Sequence, residues 1–365
     1  MSYNGSRRIS QEEKVTLEFP ENFIKRDRTK REPEVIFFLG AGASINAGIP
    51  DTKTFVEKFQ SYLEENNLEY SEKVENIVKN IEDTNLTKDV EVLMEVLERK
   101  ASLGSENPDP LLSLSEEEIA DIDKDTSQDI LDELRMFIRN KAIPDSENVE
   151  YFSNLLKVVR ARPLKIFTVN YDTCIEQMCE KHKLNYSDGF ELSWDPTNFS
   201  EDNDINIYKL HGSAIWYRAS ESGFVKLPLS INPQTQLKNL ELIGGESLSE
   251  VILYPSRKDT FLPPMIYLMR KFSETLNDRT NRLLVVVGYS FRDQYVRDIL
   301  WEAFRKNPDL RMIFISPNAP EIYEDKLKFY KPVGENVPSS AKGKVITLPL
   351  KFEDIIGELD SILDI

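Results

Sequence analysis

Apolar residues in this chain gather into short, nearly uninterrupted runs: Val35–Leu39, Leu164–Val169, Ile205–Leu210, Val251–Tyr254, Leu283–Val287, Met312–Ile315 and Val345–Leu348. They lack the alternation of a strand with one wet face, so they predict strands buried on both sides. Polar turn residues follow most of them, and helical spacing comes next in several places. Asp293–Lys306 is an example, with Val296, Ile299, Leu300, Ala303 and Phe304 at helical spacing. This alternation predicts an α/β fold, a Rossmann-like doubly wound parallel sheet. Ligands bind such sheets beyond the carboxyl ends of the strands.

More than 100 residues separate the first two runs, too many for one crossover helix. Phe55–Leu68, Val74–Ile81, Val90–Ala101, Ile130–Lys141 and Tyr151–Ala161 read as helical. The expected organisation is an N-terminal arm over 1–33, a Rossmann-like domain made of 34–59 and 149–365, and a large helical insertion over 60–148. Within the insertion, Glu106–Leu134 holds eleven acidic residues against one basic residue, Lys124. That run reads as a solvated face, with a contact to a basic partner as the other reading. The arm carries a basic knot at Lys25–Arg31.

Charge narrows the picture. The 365 residues include 46 Lys+Arg against 63 Asp+Glu, a net charge of −17, which argues against a broad nucleic-acid-binding face. No apolar run approaches the roughly 20 residues of a membrane span, and Met1–Arg31 has no signal-peptide core. A soluble, cytoplasmic protein is expected. Two cysteines and two histidines argue against a disulfide scaffold or an all-protein zinc site.

The densest chemistry lies in Val35–Asp51, where a strand runs into Gly40-Ala41-Gly42-Ala43-Ser44 and a helix is expected to follow. Glycines let backbone approach a ligand closely, and a helix N-terminus offers N–H groups to a diphosphate. The same residues would also serve a tight turn used only for packing. The dehydrogenase fingerprint is broken by Ile45, and no second strand ends in an acidic residue about 20 positions later. Hydride transfer therefore fits poorly.

Later strand ends are polar where packing alone would favour apolar residues: Thr168-Val169-Asn170-Tyr171-Asp172, Lys209-Leu210-His211-Gly212-Ser213, Gly288-Tyr289-Ser290-Phe291-Arg292-Asp293 and Ser316-Pro317-Asn318. In a parallel sheet they share one rim with the glycine turn. An imidazole such as His211 accepts a proton near neutral pH. Asn170 offers an amide able to orient water or a ribose hydroxyl. Taken alone, His211 also reads as a hydrogen-bonded structural histidine, and Asp293 as the N-cap of the following helix.

In this order, GAGASINAGIPD (40–51), TVNYD (168–172), KLHGS (209–213), GYSFRD (288–293) and ISPN (315–318) resemble the sirtuin superfamily. They look most like the sirtuin-like NAD+ hydrolases of bacterial antiphage defence, including those found beside HerA-type ATPases. The resemblance implies a diphosphate cradle at Gly40, Ala41, Gly42, Ala43 and Ser44, with Asp51 near the nicotinamide pocket. It implies that Asn170 positions a water, that His211 is the base on a ribose hydroxyl, and that Asp172 holds the nicotinamide end beside Thr168. Gly288 and Ser290 would contact the adenosine half, and Asn318 a ribose. NAD+ would be the substrate, with no metal, in a homo-oligomer with a HerA-type ATPase as partner.

Two departures shape the expectation. The Phe-Arg that follows the GIPD segment in protein deacylases is Thr52-Lys53 here. The cysteine pairs of a deacylase zinc module are also missing, because Cys174 and Cys179 are the only cysteines and read as packing residues. The expected activity is therefore NAD+ glycohydrolysis. A protein deacylase, an ADP-ribosyltransferase and a non-catalytic sensor of NAD+ or ADP-ribose are the alternatives.

Overall fold

The computed structural model describes residues 34–83, 89–102, 123–158, 163–219, 223–229, 248–252, 263–278, 282–327 and 344–359. The N-terminal arm with its basic knot, and most of the acidic run, lie outside the described residues.

The first apolar run forms β1 (Glu34–Leu39) at the centre of a seven-stranded parallel sheet. Its side chains alternate between two cores. Val35, Phe37 and Leu39 pack on one face, and Ile36 and Phe38 on the other. That two-sided burial is why the run shows no polar positions.

After β1 the chain makes two single-turn 3₁₀ segments, Ala41–Ala43 and Ile45–Ala47. Four helices follow: α1 (Thr52–Glu65), α2 (Ser71–Asp83), α3 (Val90–Ser102) and α4 (Lys124–Lys141). The helix expected directly after the glycines therefore begins later, at Thr52, where Asp51 caps it by accepting the Thr54 N–H at 2.8 Å. The stretch expected as a helix over Tyr151–Ala161 is a 3₁₀ helix, Glu150–Val158. Phe59, Leu93, Leu97, Ile130 and Leu134 share one apolar cluster with Val35, Phe37 and Leu39. These helices thus share one continuous core with the sheet.

The second half supplies β2 (Leu164–Thr168), α5 (Cys174–His182), β3 (Tyr186–Ser187), β4 (Ile205–Lys209), β5 (Gly212–Ala219), β6 (Gly223–Lys226), β7 (Leu248–Ile252), α6 (Pro263–Asn277), β8 (Arg282–Val287), α7 (Gln294–Lys306), β9 (Arg311–Ile315), α8 (Ala319–Ile322), β10 (Val345–Leu348) and α9 (Phe352–Ile355). The parallel sheet has the order β10-β9-β8-β1-β2-β4-β3. The fold is a Rossmann-like α/β arrangement flanked by helices, as the pattern of runs predicts. Strand order reverses between β1 and β8, so the switch point lies beside the glycine turn.

One run changes place. Val251 and Ile252 do not join the parallel sheet; β7 pairs antiparallel with β5, which also pairs β6, as a separate three-stranded sheet. The vacant seventh place is taken by the two-residue β3, too short to show as an apolar run. Among the described residues no helix is long and apolar enough to cross a membrane.

Candidate functional site

Parallel strands bring the ends of β1, β2, β4, β8 and β9 to one rim, and a cavity of about 550 Å³ opens above it. Backbone contact at the switch point explains the glycines. The Gly40 N–H donates to Val287 O and the Gly42 N–H to Gly288 O, each at 2.9 Å. A Cβ on Gly42 would stand 2.7 Å from Gly288 Cα, and one on Gly288 would overlap the Gly42 backbone. Gly288 also has φ +59°, in the left-handed region that glycine occupies without cost.

A test separates these two demands. Gly48 has φ +85° but open space where a Cβ would go. Gly48→Ala should therefore cost about 1–2 kcal/mol of stability from the backbone alone. Gly288→Ala should lose clearly more, read from urea midpoints, because turn and strand end must also move apart. Equal losses would show that the close approach carries no energy.

Within Gly40–Ser44 the N–H groups of Gly40, Gly42, Ala43 and Ser44 already donate to backbone carbonyls. The turn is thus a 3₁₀ hook whose N–H groups are spent on itself and on the end of β8, unlike the open helix N-terminus expected there. Ala41 and Gly42 line the cavity, while Gly40, Ala43 and Ser44 are buried behind it.

Asn170 is fastened to this hook. Its Nδ2 donates to Gly40 O at 3.0 Å and to Ser44 Oγ at 3.2 Å. Ser44 Oγ in turn donates to Asp172 Oδ2 at 2.8 Å, and Asp172 Oδ1 accepts the Cys174 N–H at 3.1 Å. Thr168 stands further back. Its hydroxyl donates to Leu39 O and accepts the Asn170 N–H, both at 3.0 Å, tying β2 to β1.

His211 leaves β4 through Leu210, and its Nε2 pairs with Asp293 Oδ2 at 2.9 Å. Asp293 is also the N-cap of α7, its Oδ1 accepting from Tyr295 N at 2.8 Å and Val296 N at 3.3 Å. Burial alone would raise the Asp293 carboxyl, but the His211 bond and charge and the two backbone donors prevail and hold it below the ordinary carboxylate range. Beneath the rim, Lys209 Nζ pairs with Glu176 Oε1 at 2.7 Å and donates to the Asp172 carbonyl, holding the loop that carries Asn170. Burial pushes Glu176 up, and the Lys209 ammonium only partly opposes it.

The cavity therefore gathers Asn170, His211, Ala41, Gly42, Asp51, Asp172, Gly288, Ser290 and Asn318 among the residues expected from the sequence. Gly40, Ala43, Ser44 and Thr168 are not in its wall and act as its backing. The packing role expected for Cys174 and Cys179 matches their burial in α5.

Other lining residues gave little signal in the sequence. Val90, Glu91 and Met94 come from α3, and Ile138 from α4. Asp89 caps α3 by accepting the Val92 N–H at 3.0 Å, and its other oxygen pairs with Arg292 of the rim loop after β8. The helical segment is thus bolted to the site. Tyr289 lines the cavity too, with its hydroxyl buried and without a hydrogen-bond partner among the described residues. Among those residues no group of three or more His, Cys, Asp and Glu is placed to hold a metal ion.

Residues 164–333 match the SIR2-like domain family. That stretch runs from β2 through Asn170, His211, Asp293 and Asn318, so it holds most of the site's polar side chains. No curated protein matches the chain. Among solved structures, a Sir2 homologue–NAD complex is 14% identical, covers 95% of this chain and 94% of its own, and has a TM-score of 0.47. Sir2 bound to an acetylated peptide is 11% identical over 93% of this chain and 95% of its own, with a TM-score of 0.38.

Proposed function

We propose that the chain hydrolyses the nicotinamide–ribose bond of NAD+, releasing nicotinamide and ADP-ribose. The observation that carries this reading is the convergence of His211, Asn170 and Asp172 on one cavity at the switch point of the sheet. The SIR2-like match over the same residues supports it.

Breaking that bond needs positioning and electrostatics more than a strong nucleophile, because the ribose passes through an oxocarbenium-like state. Asn170 would hold the water that adds at C1′, and His211 would take the proton of a ribose hydroxyl. Asp51, Glu91, Asp172, Asp293 and Glu353 face the cavity against only two lining cations, Arg292 and Lys351, among the described residues. Such a lining suits a cationic nicotinamide ring and the positive charge of the breaking sugar. Ala41 and Gly42 would lie along the diphosphate, Ser290 and Gly288 along the adenosine half, and Asn318 at its ribose.

Unchecked NAD+ hydrolysis is toxic, so the activity belongs to an effector released by a trigger. Antiphage defence, self-assembly and a HerA-type ATPase partner complete the proposal. The test is incubation of the full chain with NAD+, alone and with such an ATPase, following nicotinamide and ADP-ribose by chromatography. Equimolar release is expected. Tight ADP-ribose binding without release in either arm would replace this reading with a sensor. NAD+-dependent deacylation of an acyl-lysine peptide would replace it with a deacylase.

A further inference from the structure

His211 and Asp293 lie 82 residues apart and leave strands that are not neighbours: β1 and β2 stand between β4 and β8. The two side chains meet at 2.9 Å across the mouths of those strands, in the wall of the cavity that Asn170 also lines. The side chains are largely shielded, His211 keeping 12% and Asp293 15% of their surface exposed. Each carboxylate oxygen has its own task. Oδ1 receives the first free N–H groups of α7, and Oδ2 receives the imidazole.

We propose that Asp293 is a positioning residue that fixes the ring orientation and tautomer of His211, placing the proton on Nε2 and the lone pair on Nδ1. An ionised carboxylate only accepts hydrogen bonds, so the nitrogen facing it must carry hydrogen. The helix keeps that carboxylate ionised and unable to turn, because two backbone donors grip its other oxygen and the positive end of α7 favours its charge. A helix cap thereby becomes the clamp on a base. The assignment of His211 as base rests on the proposed hydrolysis of NAD+; the tautomer does not.

The grip on Oδ1 makes Asp293→Asn decisive. Asparagine also caps helices well, and its carbonyl oxygen must stay on the Tyr295 and Val296 N–H groups. Its amide nitrogen then takes the place of Oδ2 and presents hydrogens to Nε2. The imidazole must answer by moving its own proton to Nδ1.

The experiment is ring-nitrogen NMR of the full chain labelled in histidine, at about pH 8 where free imidazole is neutral. The sequence has only two histidines, and His182, paired with Glu150 at 3.0 Å, serves as the internal reference. The native ring of His211 should be protonated at Nε2, and in Asp293→Asn at Nδ1, with His182 unmoved. In the NAD+ assay Asp293→Asn should lose about 10²–10⁴-fold in kcat with little change in KM and an unchanged Tm. A native His211 protonated at Nδ1, or a ring unaltered by Asp293→Asn, would overturn the proposal. So would a kcat loss matched by a collapse in Tm. A tautomer switch in a chain that releases no nicotinamide, alone or with the ATPase, would uphold the clamp and defeat the hydrolase reading instead.

Discussion

Asn170→Ala is expected to lower nicotinamide release from NAD+ by about 10²–10³-fold while the chain stays folded, on the scale of losing one preorganised polar group at a reacting centre. The amide nitrogen of Asn170 is spent on Gly40 O and Ser44 Oγ, which leaves its carbonyl oxygen to receive a hydrogen bond from water. Alanine removes that acceptor and its anchor together. The structural penalty should be small, about 1 kcal/mol, because Gly40 O keeps the Ala43 N–H and Ser44 Oγ keeps Asp172. Chromatographic assay of nicotinamide beside circular dichroism separates chemistry from folding. His211→Ala should show the same pattern through loss of the base, and substantial activity surviving in both variants would remove these residues from the mechanism.

The largest stability effect is expected at Lys209→Met. Lys209 and Glu176 each keep only 1% of their side-chain surface, and they face each other at 2.7 Å between β4 and α5. Removing the cation strands a buried carboxylate, a loss of about 3–5 kcal/mol that urea unfolding would read directly. Replacing both residues, Lys209→Met with Glu176→Met, should cost less than Lys209→Met alone, because no charge is left uncompensated.

The pH dependence of this variant follows in sign. Burial already raises Glu176 in the native chain, and losing the ammonium raises it further. Folded Lys209→Met therefore binds a proton that its unfolded chain has released. Its stability is highest below the ordinary glutamate range and falls as pH rises through the raised value. A double variant no more stable than Lys209→Met, or a single variant insensitive to pH, would contradict the stranded-charge account.

The sequence made the central strands legible because burial on two faces leaves no polar position to interrupt a run; β1 and β8 show this over their whole length. It also marked the rim, since Asn170, His211 and Asn318 stand at the ends of apolar runs where packing has no use for them. Residue spacing along a helix similarly announced α7 and its Asp293 cap.

Partnership across the sheet was not legible. Whether Val251 and Ile252 join the parallel sheet or a separate antiparallel one depends on which strand they lie beside, which their own apolar character does not encode. That the glycine hook spends its N–H groups on Val287, Gly288 and itself depends on β8 lying beside β1. The helices between β1 and β2 show amphipathic spacing, yet only packing reveals that α3 brings Glu91 to the cavity wall. The same holds for Asp293. Local sequence determined that it caps a helix, because capping involves neighbours along the chain. Only strand order decided that the oxygen left over would meet His211, because that contact is set by two strands lying between them.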